Sequence, residues 1–213
     1  MPLTPAAVID FERCIGRGGV AIFPADTVYG LACNPGSESS VRRMHDLKKR
    51  SGGRPSAVMF FRLERALAAL EELGERTKEA LRRLLPGPVT VVLPNPSRRY
   101  ALAAGGDTLG LRVPNLEAME GRLAPLAEAR VAVLQTSANP SGGSDARRVG
   151  DIDTELVRGV DIVLDGGELS GTPSSVVDLT RFEQSQQWNV LRETALTRDQ
   201  IAALLTTSRE PSA

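Results

Sequence analysis

The sequence predicts an α/β protein: an open sheet of mixed parallel and antiparallel strands with helices packed on it. Two patterns carry that expectation. Over roughly the first ninety residues, helical periodicities alternate with short β-branched runs, whereas toward the C-terminus several strand-like segments follow one another without long helices between them. A wholly parallel sheet needs a long crossover after each strand, so the second pattern requires some antiparallel pairing. The composition, 41% hydrophobic and 24% charged over 213 residues, is that of a folded globular chain of one large domain.

Thr4 and Pro5 form an N-cap and first-turn signal, and Val8, Phe11 and Ile15 recur at helical spacing until Gly18 and Gly19 stop them. A strand over 20–24 enters the turn-rich ADTVYG, and a helix over 38–49 carries Val41, Met44 and Leu47 on one face. AVMFF reads as a strand, 63–73 and 75–85 as helices, and Pro86, Gly87 and Pro88 introduce the strand VTVVL. Residues 108–113 form a strand, Asn115 caps a helix running toward Arg130, and a buried strand over 131–134 leads into the loop QTSANPSGG. Further strands are expected over 160–164, 174–179 and 188–191. Thr197 and Gln200 have capping-box spacing for a last helix through Leu205, with 207–213 a flexible tail beyond a single domain of residues 1–206.

Charge and rare residues exclude several function classes. Lys+Arg 26 against Asp+Glu 26 leaves a formal net charge of +0, and the sequence pI of about 6.6 is far from the basic values of bulk nucleic-acid binders. Aromatic residues at 4% are too few for a single-strand groove built on stacking. With Cys14, Cys33 and one histidine, His45, neither a disulfide framework nor a Cys/His zinc site can be assembled. His45 reads as a surface or boundary residue. No stretch is apolar enough to span a bilayer, and the N-terminus lacks the apolar segment of a secretion signal, so a cytoplasmic location is expected.

The sequence contains no phosphate loop, dinucleotide turn, H-E-x-x-H, C-x-x-C or G-x-S-x-G. What remains are polar residues at the ends of apolar strands, where open α/β sheets bind ligands. They are Asp26, Thr27 and Tyr29; Lys48, Lys49, Arg50 and Arg54; Thr108 and Arg112; and Ser137, Asn139 and Ser141, with Ser174, Ser175 and Arg192 on later strands. Cations and hydroxyls without a metal cage or strong general base suit an anionic nucleotide. Plainer readings remain open: Arg42, Arg43, Lys48, Lys49 and Arg50 as a solvated helix face, Asn139 as a turn former with Pro140, and Arg112 paired with a surface acid.

FPADTVYGLAC, LKKRSGGRP, LLPGPVTVVLP, LGLRVP, TSANPSG and SSVVDLT occur in that order. Together they resemble the YrdC-like family, the L-threonylcarbamoyladenylate synthases, in its short single-domain form. The resemblance implies a twisted mixed sheet curved around a basic cavity. It implies conversion of L-threonine, bicarbonate and ATP, with Mg²⁺ accompanying the nucleotide, into threonylcarbamoyl-AMP and pyrophosphate for tRNA modification. It also implies tRNA or a downstream tRNA threonylcarbamoyltransferase complex as partner. Lys48, Arg50, Ser137 and Asn139 match catalytic positions that also hold ATP, and Arg54 and Arg192 match further ATP-binding positions. Thr27, Thr108 and Ser174 match threonine-binding positions, and Arg112 is the natural partner of the threonine carboxylate. The cations are expected to converge on the cavity while the balancing acids lie mostly on helices outside it.

The sequence departs from the family pattern at Ala25, Ser51, Met59 and Glu193. With the Gly52-Gly53 turn, Met59 leaves a paralogue of altered amino-acid or carbamoyl acceptor as an alternative. A tRNA- or double-stranded-RNA-binding module and a related carbamoyl-transfer enzyme are the others.

Overall fold

The computed structural model describes residues 1–49, 56–103, 106–117, 120–140 and 142–206. Helix α1 (Pro5–Gly16) starts where the sequence places it: the Thr4 side chain accepts a hydrogen bond from the Ala7 N–H. Its apolar stripe of Val8, Phe11 and Ile15 is buried against strand β1 (Val20–Pro24). Phe11, Phe23 and Phe61 form a triangle of rings with centroids 5.8, 5.9 and 6.0 Å apart, which locks α1 onto the sheet.

Strand β2 (Tyr29–Cys33) pairs antiparallel with β1, Val20 opposite Cys33 and Pro24 opposite Tyr29. Sequence reading passes from ADTVYG directly to the next helix and misses this strand. All five of its residues are buried, so no alternation of apolar and polar positions marks it. The connecting turn, closed by the Ala25 N–H on the Val28 carbonyl, carries Asp26 and Thr27.

Helix α2 (Glu38–Leu47), capped by Ser37, ends with Lys48 as its C-cap and leads to β3 (Ala57–Met59). Then come α3 (Leu63–Ala69), α4 (Glu75–Leu84), β4 (Val89–Pro94) and β5 (Thr108–Arg112). The helix expected from Asn115 toward Arg130 does not form among the described residues. Asn115 instead caps a turn by accepting the Glu117 N–H, and a short 3-10 helix, Ala124–Glu128, follows. Pro114, Gly121 and Pro125 interrupt the segment, and Gly121 takes φ +73°, outside helical space.

Strand β6 (Val133–Ser137) begins and ends later than the expected 131–134, so Ser137 belongs to the strand rather than the loop after it. The chain continues through α5 (Thr154–Gly159), β7 (Ile162–Val163), β8 (Ser175–Asp178), α6 (Phe182–Ser185), β9 (Asn189–Arg192) and α7 (Arg198–Thr206). The capping box of α7 is reciprocal: Thr197 N–H to Gln200 Oε1 and Gln200 N–H to Thr197 Oγ1.

Among the described residues the strands form one nine-stranded sheet in the order β7-β1-β2-β6-β3-β5-β4-β8-β9. β1/β7, β3/β5 and β4/β8 run parallel and the other neighbours antiparallel, the mixed sheet the sequence predicts. Side chains alternate along β4 and β5. Val89, Val91, Leu93, Leu109 and Leu111 are buried in the core, while Thr90, Val92, Thr108 and Gly110 turn to the other face. Register keeps that second face continuous, with Thr90 opposite Arg112, Val92 opposite Gly110, Gly110 beside Ala57, and Ala57 beside Gln135. Its side chains are small or polar where a core would be large and apolar, so the face is left concave.

Candidate functional site

That concave face is a cavity of about 480 Å³, lined by Ala57, Thr90, Thr108, Gly110, Arg112, Gln135, Ser137, Ser174 and Arg192 among others. Size does not distinguish it. Hollows of about 660 Å³ beside α1 and about 940 Å³ between α3 and α4 are larger, but the predicted polar residues do not gather in them. Gly110 and Ala57 form the floor, and a Cβ at Gly110 would lie 3.3 Å from that of Ala57.

Lys48 turns inward from the end of α2 and is only 4% exposed. Its Nζ donates to the Ser137 carbonyl at 2.5 Å and to Asn139 Oδ1 at 3.1 Å. The neighbouring cations face solvent: Arg42 pairs with Glu38, Arg43 with Asp161 and Lys49 with Glu155. The solvated-face reading therefore holds for Arg42, Arg43 and Lys49 and fails for Lys48. Arg50, Arg54, Gly52, Gly53 and Ser141 lie outside the described residues. His45 is half-buried on α2, the boundary position expected for it.

The Asn139 amide uses its full bonding capacity. Oδ1 accepts from Lys48 and from Ser137 Oγ at 2.6 Å, while Nδ2 donates to the Gly143 carbonyl at 2.5 Å and to Asp145 Oδ1 at 3.3 Å. Asn139 is a positioning group for Lys48 and Ser137. The turn reading holds as well, since the Gly143 N–H closes onto the Pro140 carbonyl.

Arg112, at the end of β5, is 3% exposed and pairs with the 8% exposed Asp26 through Nη2, while Nη1 donates to Thr27 Oγ1 at 3.1 Å. The second Asp26 oxygen accepts the Asn115 N–H at 2.9 Å. Arg112 thus has an acid partner, but a buried one. Burial pushes the Asp26 carboxyl above its ordinary range, and the facing guanidinium pulls against that shift. The Arg112 Nε is buried and has no hydrogen-bond partner among the described residues.

Next to it, Thr90 Oγ1 and Ser174 Oγ are 2.8 Å apart, and Arg192 donates to the Ser174 carbonyl through Nε and Nη2. Gln135, Ala57 and Gly110 stand in register, so Ser137 lies toward the Thr108 end of β5 and Arg112 at the other. Four strand steps separate those ends, about 13 Å. Met59, in register with Arg112, is fully buried.

Among the cavity residues that sequence reasoning overlooks are Thr90, Gln135 and Asp145. Thr90 was legible in the alternation of VTVVL and Gln135 in a strand extended by three residues, but no spacing marks Asp145. The acids are not confined to outer helices either, since Asp145 lines the cavity and Asp26 lies behind it. Among the described residues no group of three or more His, Cys, Asp or Glu side chains is placed to cage a metal ion.

The family model Sua5_yciO_yrdC, described as telomere recombination, matches residues 13–194. The threonylcarbamoyl-AMP synthase of Pyrococcus abyssi is 31% identical over 170 residues, 79% of this chain and 49% of that protein. The synthase of Hahella chejuensis is 32% identical over 171 residues, 77% of this chain and 89% of its own. The chain thus spans about half of the first relative and most of the second. Among solved structures, Sua5 of P. abyssi complexed with L-threonine superposes with TM-score 0.77 at 26% identity, covering 96% of this chain and 58% of that one. YciO of E. coli superposes with TM-score 0.73 at 22% identity over 90% of this chain and 91% of its own, a likeness of fold.

Proposed function

The chain belongs to the Sua5/YciO/YrdC family, and from that premise we propose that it is a threonylcarbamoyl-AMP synthase, a nucleotidyltransferase that supplies tRNA modification. Its substrates are L-threonine, bicarbonate and ATP. The observation that supports this reading best is one cavity with two polar ends: Ser137, backed by Asn139 and the buried Lys48, at one, and Arg112 beside Arg192 at the other.

The threonine amine and bicarbonate lose water to give a carbamate. A carbamate oxygen then attacks the α-phosphorus of ATP, forming the P–O bond of the mixed anhydride while the bond to pyrophosphate breaks. No protein nucleophile is required, and positioning with charge neutralisation carries the step. Arg112 takes the threonine carboxylate on its Nε side, and Thr27 Oγ1 and Asp26 prevent the guanidinium from swinging toward the phosphates. Ser174 lines the amino-acid end, and Thr108, toward the Ser137 end, is assigned to threonine from sequence. Lys48 and the Ser137 hydroxyl face the phosphates, with Arg50, Arg54 and Arg192 assigned to the nucleotide from sequence. Magnesium bound with the triphosphate would supply further charge neutralisation, and the Asp145 carboxylate is the hard oxygen donor on the wall that suits it. The product passes to a tRNA-modifying transferase, and we place the reaction in the cytoplasm. No helix of the described residues is long and apolar enough to cross a membrane.

Incubation with ATP, Mg²⁺, bicarbonate and threonine is expected to release pyrophosphate with a threonine-dependent adenylate. A panel of other amino acids in the same assay distinguishes a threonine enzyme from a paralogue. Pyrophosphate release indifferent to threonine would overturn the assignment. Lys48→Ala and Arg50→Ala are each expected to lower kcat at least tenfold, about 1.4 kcal/mol of transition-state stabilisation.

A further inference from the structure

We propose that Gln135 recognises the carbamate of threonine, and that its amide makes the site favour the amino acid that has taken up bicarbonate over the amino acid itself. The inference rests on the synthase reading above and adds a residue to it.

Gln135 stands on β6 in the floor of the cavity. Its cross-strand neighbours are Ala32 and Ala57, and Gly110 lies beyond Ala57, so the residues beside it are small and apolar. Ser137 is two residues further along β6, and Arg112 is two residues beyond Gly110 in the opposite direction. Gln135 therefore lies between the two polar ends, about 7 Å along the strands from each. Polar side chains at those ends are already engaged: Ser137 with Asn139, Thr90 with Ser174, and Arg112 with Asp26 and Thr27. Gln135 is half-buried, and among the described residues its amide has no hydrogen-bond partner.

A primary amide offers a carbonyl acceptor beside an N–H donor. Threonine enters with an ammonium, which has donors only, and its carboxylate is taken at the Arg112 end. Once the amine has lost a proton to solvent and combined with bicarbonate with loss of water, the same nitrogen carries one N–H beside a planar carboxylate. That group complements the amide: the carbamate N–H donates to Gln135 Oε1, and a carbamate oxygen accepts from Nε2. Both bonds form together only with the carbamate, and a site built to bond a polar group discriminates against the analogue that lacks it. A neutral side chain suits this place, since a cation would draw the threonine carboxylate or the phosphates to itself and an anion would repel the carbamate.

The test is calorimetric affinity for threonine, in bicarbonate-free buffer and in saturating bicarbonate, for the native chain and for Gln135→Met, which keeps the length of the side chain without its polar atoms. Bicarbonate is expected to tighten threonine binding to the native protein about tenfold, and the variant is expected to lose most of that gain while its affinity without bicarbonate stays the same. In the synthase assay the variant should show a KM for bicarbonate raised about tenfold, with the KM for ATP unchanged. Gln135→Glu keeps the shape and the acceptor but loses the donor, and it should lose the gain as well, so the comparison survives a folding defect peculiar to Met. An equal loss of threonine affinity in both buffers would mean that Gln135 only shapes the pocket, and it overturns the proposal. A gain that both variants retain, or a native chain whose threonine binding ignores bicarbonate, overturns it too, while adenylate formation by the native chain leaves the synthase reading intact. A native chain that forms no threonine-dependent adenylate removes both.

Discussion

Arg112 and Lys48 carry the same charge in different settings, and their substitutions should fail differently. Arg112 is neutralised by Asp26 inside the protein, so Asp26→Ala strands a buried guanidinium and is expected to cost about 3–5 kcal/mol, read as a lower urea midpoint. Arg112→Lys keeps the charge but loses the fork that reaches Asp26, Thr27 and the cavity at once. It should raise the KM for threonine well above any change in the KM for ATP. Cys33, fully buried on β2, has its thiol pushed up to about 12 by desolvation. A thiol raised in the folded state is protonated there when the unfolded chain has already ionised. Its contribution is complete below about pH 9, the ordinary thiol value, and is lost as pH rises toward 12. Between those limits stability should fall by up to about 1.4 kcal/mol per pH unit from this group, and Cys33→Ala should flatten that part of a denaturation-against-pH curve.

At the level of elements, distant residues complete what local sequence leaves open. Helix α4 begins at Gly74, which has no side chain to cap it, and Glu183 of α6 takes that role by accepting the Thr77 N–H and hydroxyl, each at 2.9 Å. Those bonds hold the Glu183 carboxyl below its ordinary range, so its contribution is present above the ordinary carboxylate value and is lost as pH falls through the lowered one. A Cβ at Gly74 would stand 2.1 Å from the Glu183 carboxyl carbon. Gly74→Ala is accordingly expected to lower Tm despite the better helix propensity of alanine, and Glu183→Gln should remove the acid dependence. On the sheet, Gly110 does for the cavity what Gly74 does for the cap. Gly110→Val puts a branched side chain on the floor against Ala57 and should abolish substrate use while the far-ultraviolet circular dichroism is unchanged.

For the whole molecule, equal numbers of acids and bases conceal an uneven distribution. Many charges among the described residues pair on the surface, as Arg42 does with Glu38 and Lys49 with Glu155, and exposed pairs of this kind contribute little to stability. A few, Asp26, Lys48 and Arg112, are directed inward by sheet order. β5 and β6 are separated only by β3, and β4 sets β8 and β9 beside them, so residues far apart in the chain share one concave face. A neutral exterior with its positive charge inside a cavity should bind nucleotide in preference to polyanionic RNA. Retention of RNA on the isolated protein is expected to vanish by about 200 mM salt, as for contacts made only to phosphates. Equilibrium binding across a salt series checks this, and salt-resistant retention would favour the RNA-binding alternative.

Local signals in contiguous residues determined much of this protein. The Thr4 and Thr197 caps, the stripe of α1, the β-branched VTVVL and the closely spaced late strands were enough for a mixed α/β sheet, and the ordered motifs were enough for the family. Where the local signal was ambiguous the reading failed, in the fully buried β2 and in the interrupted segment after Asn115. Tertiary structure alone decided which charges work together. Asp26 meets Arg112 across 86 positions and Lys48 meets Asn139 across 91, and adjacent Lys48 and Lys49 part to opposite sides of the surface. Periodicity and capping act within a few residues of chain, whereas the field at a site is set by strand order and register, which bring its charges together only when the sheet is complete.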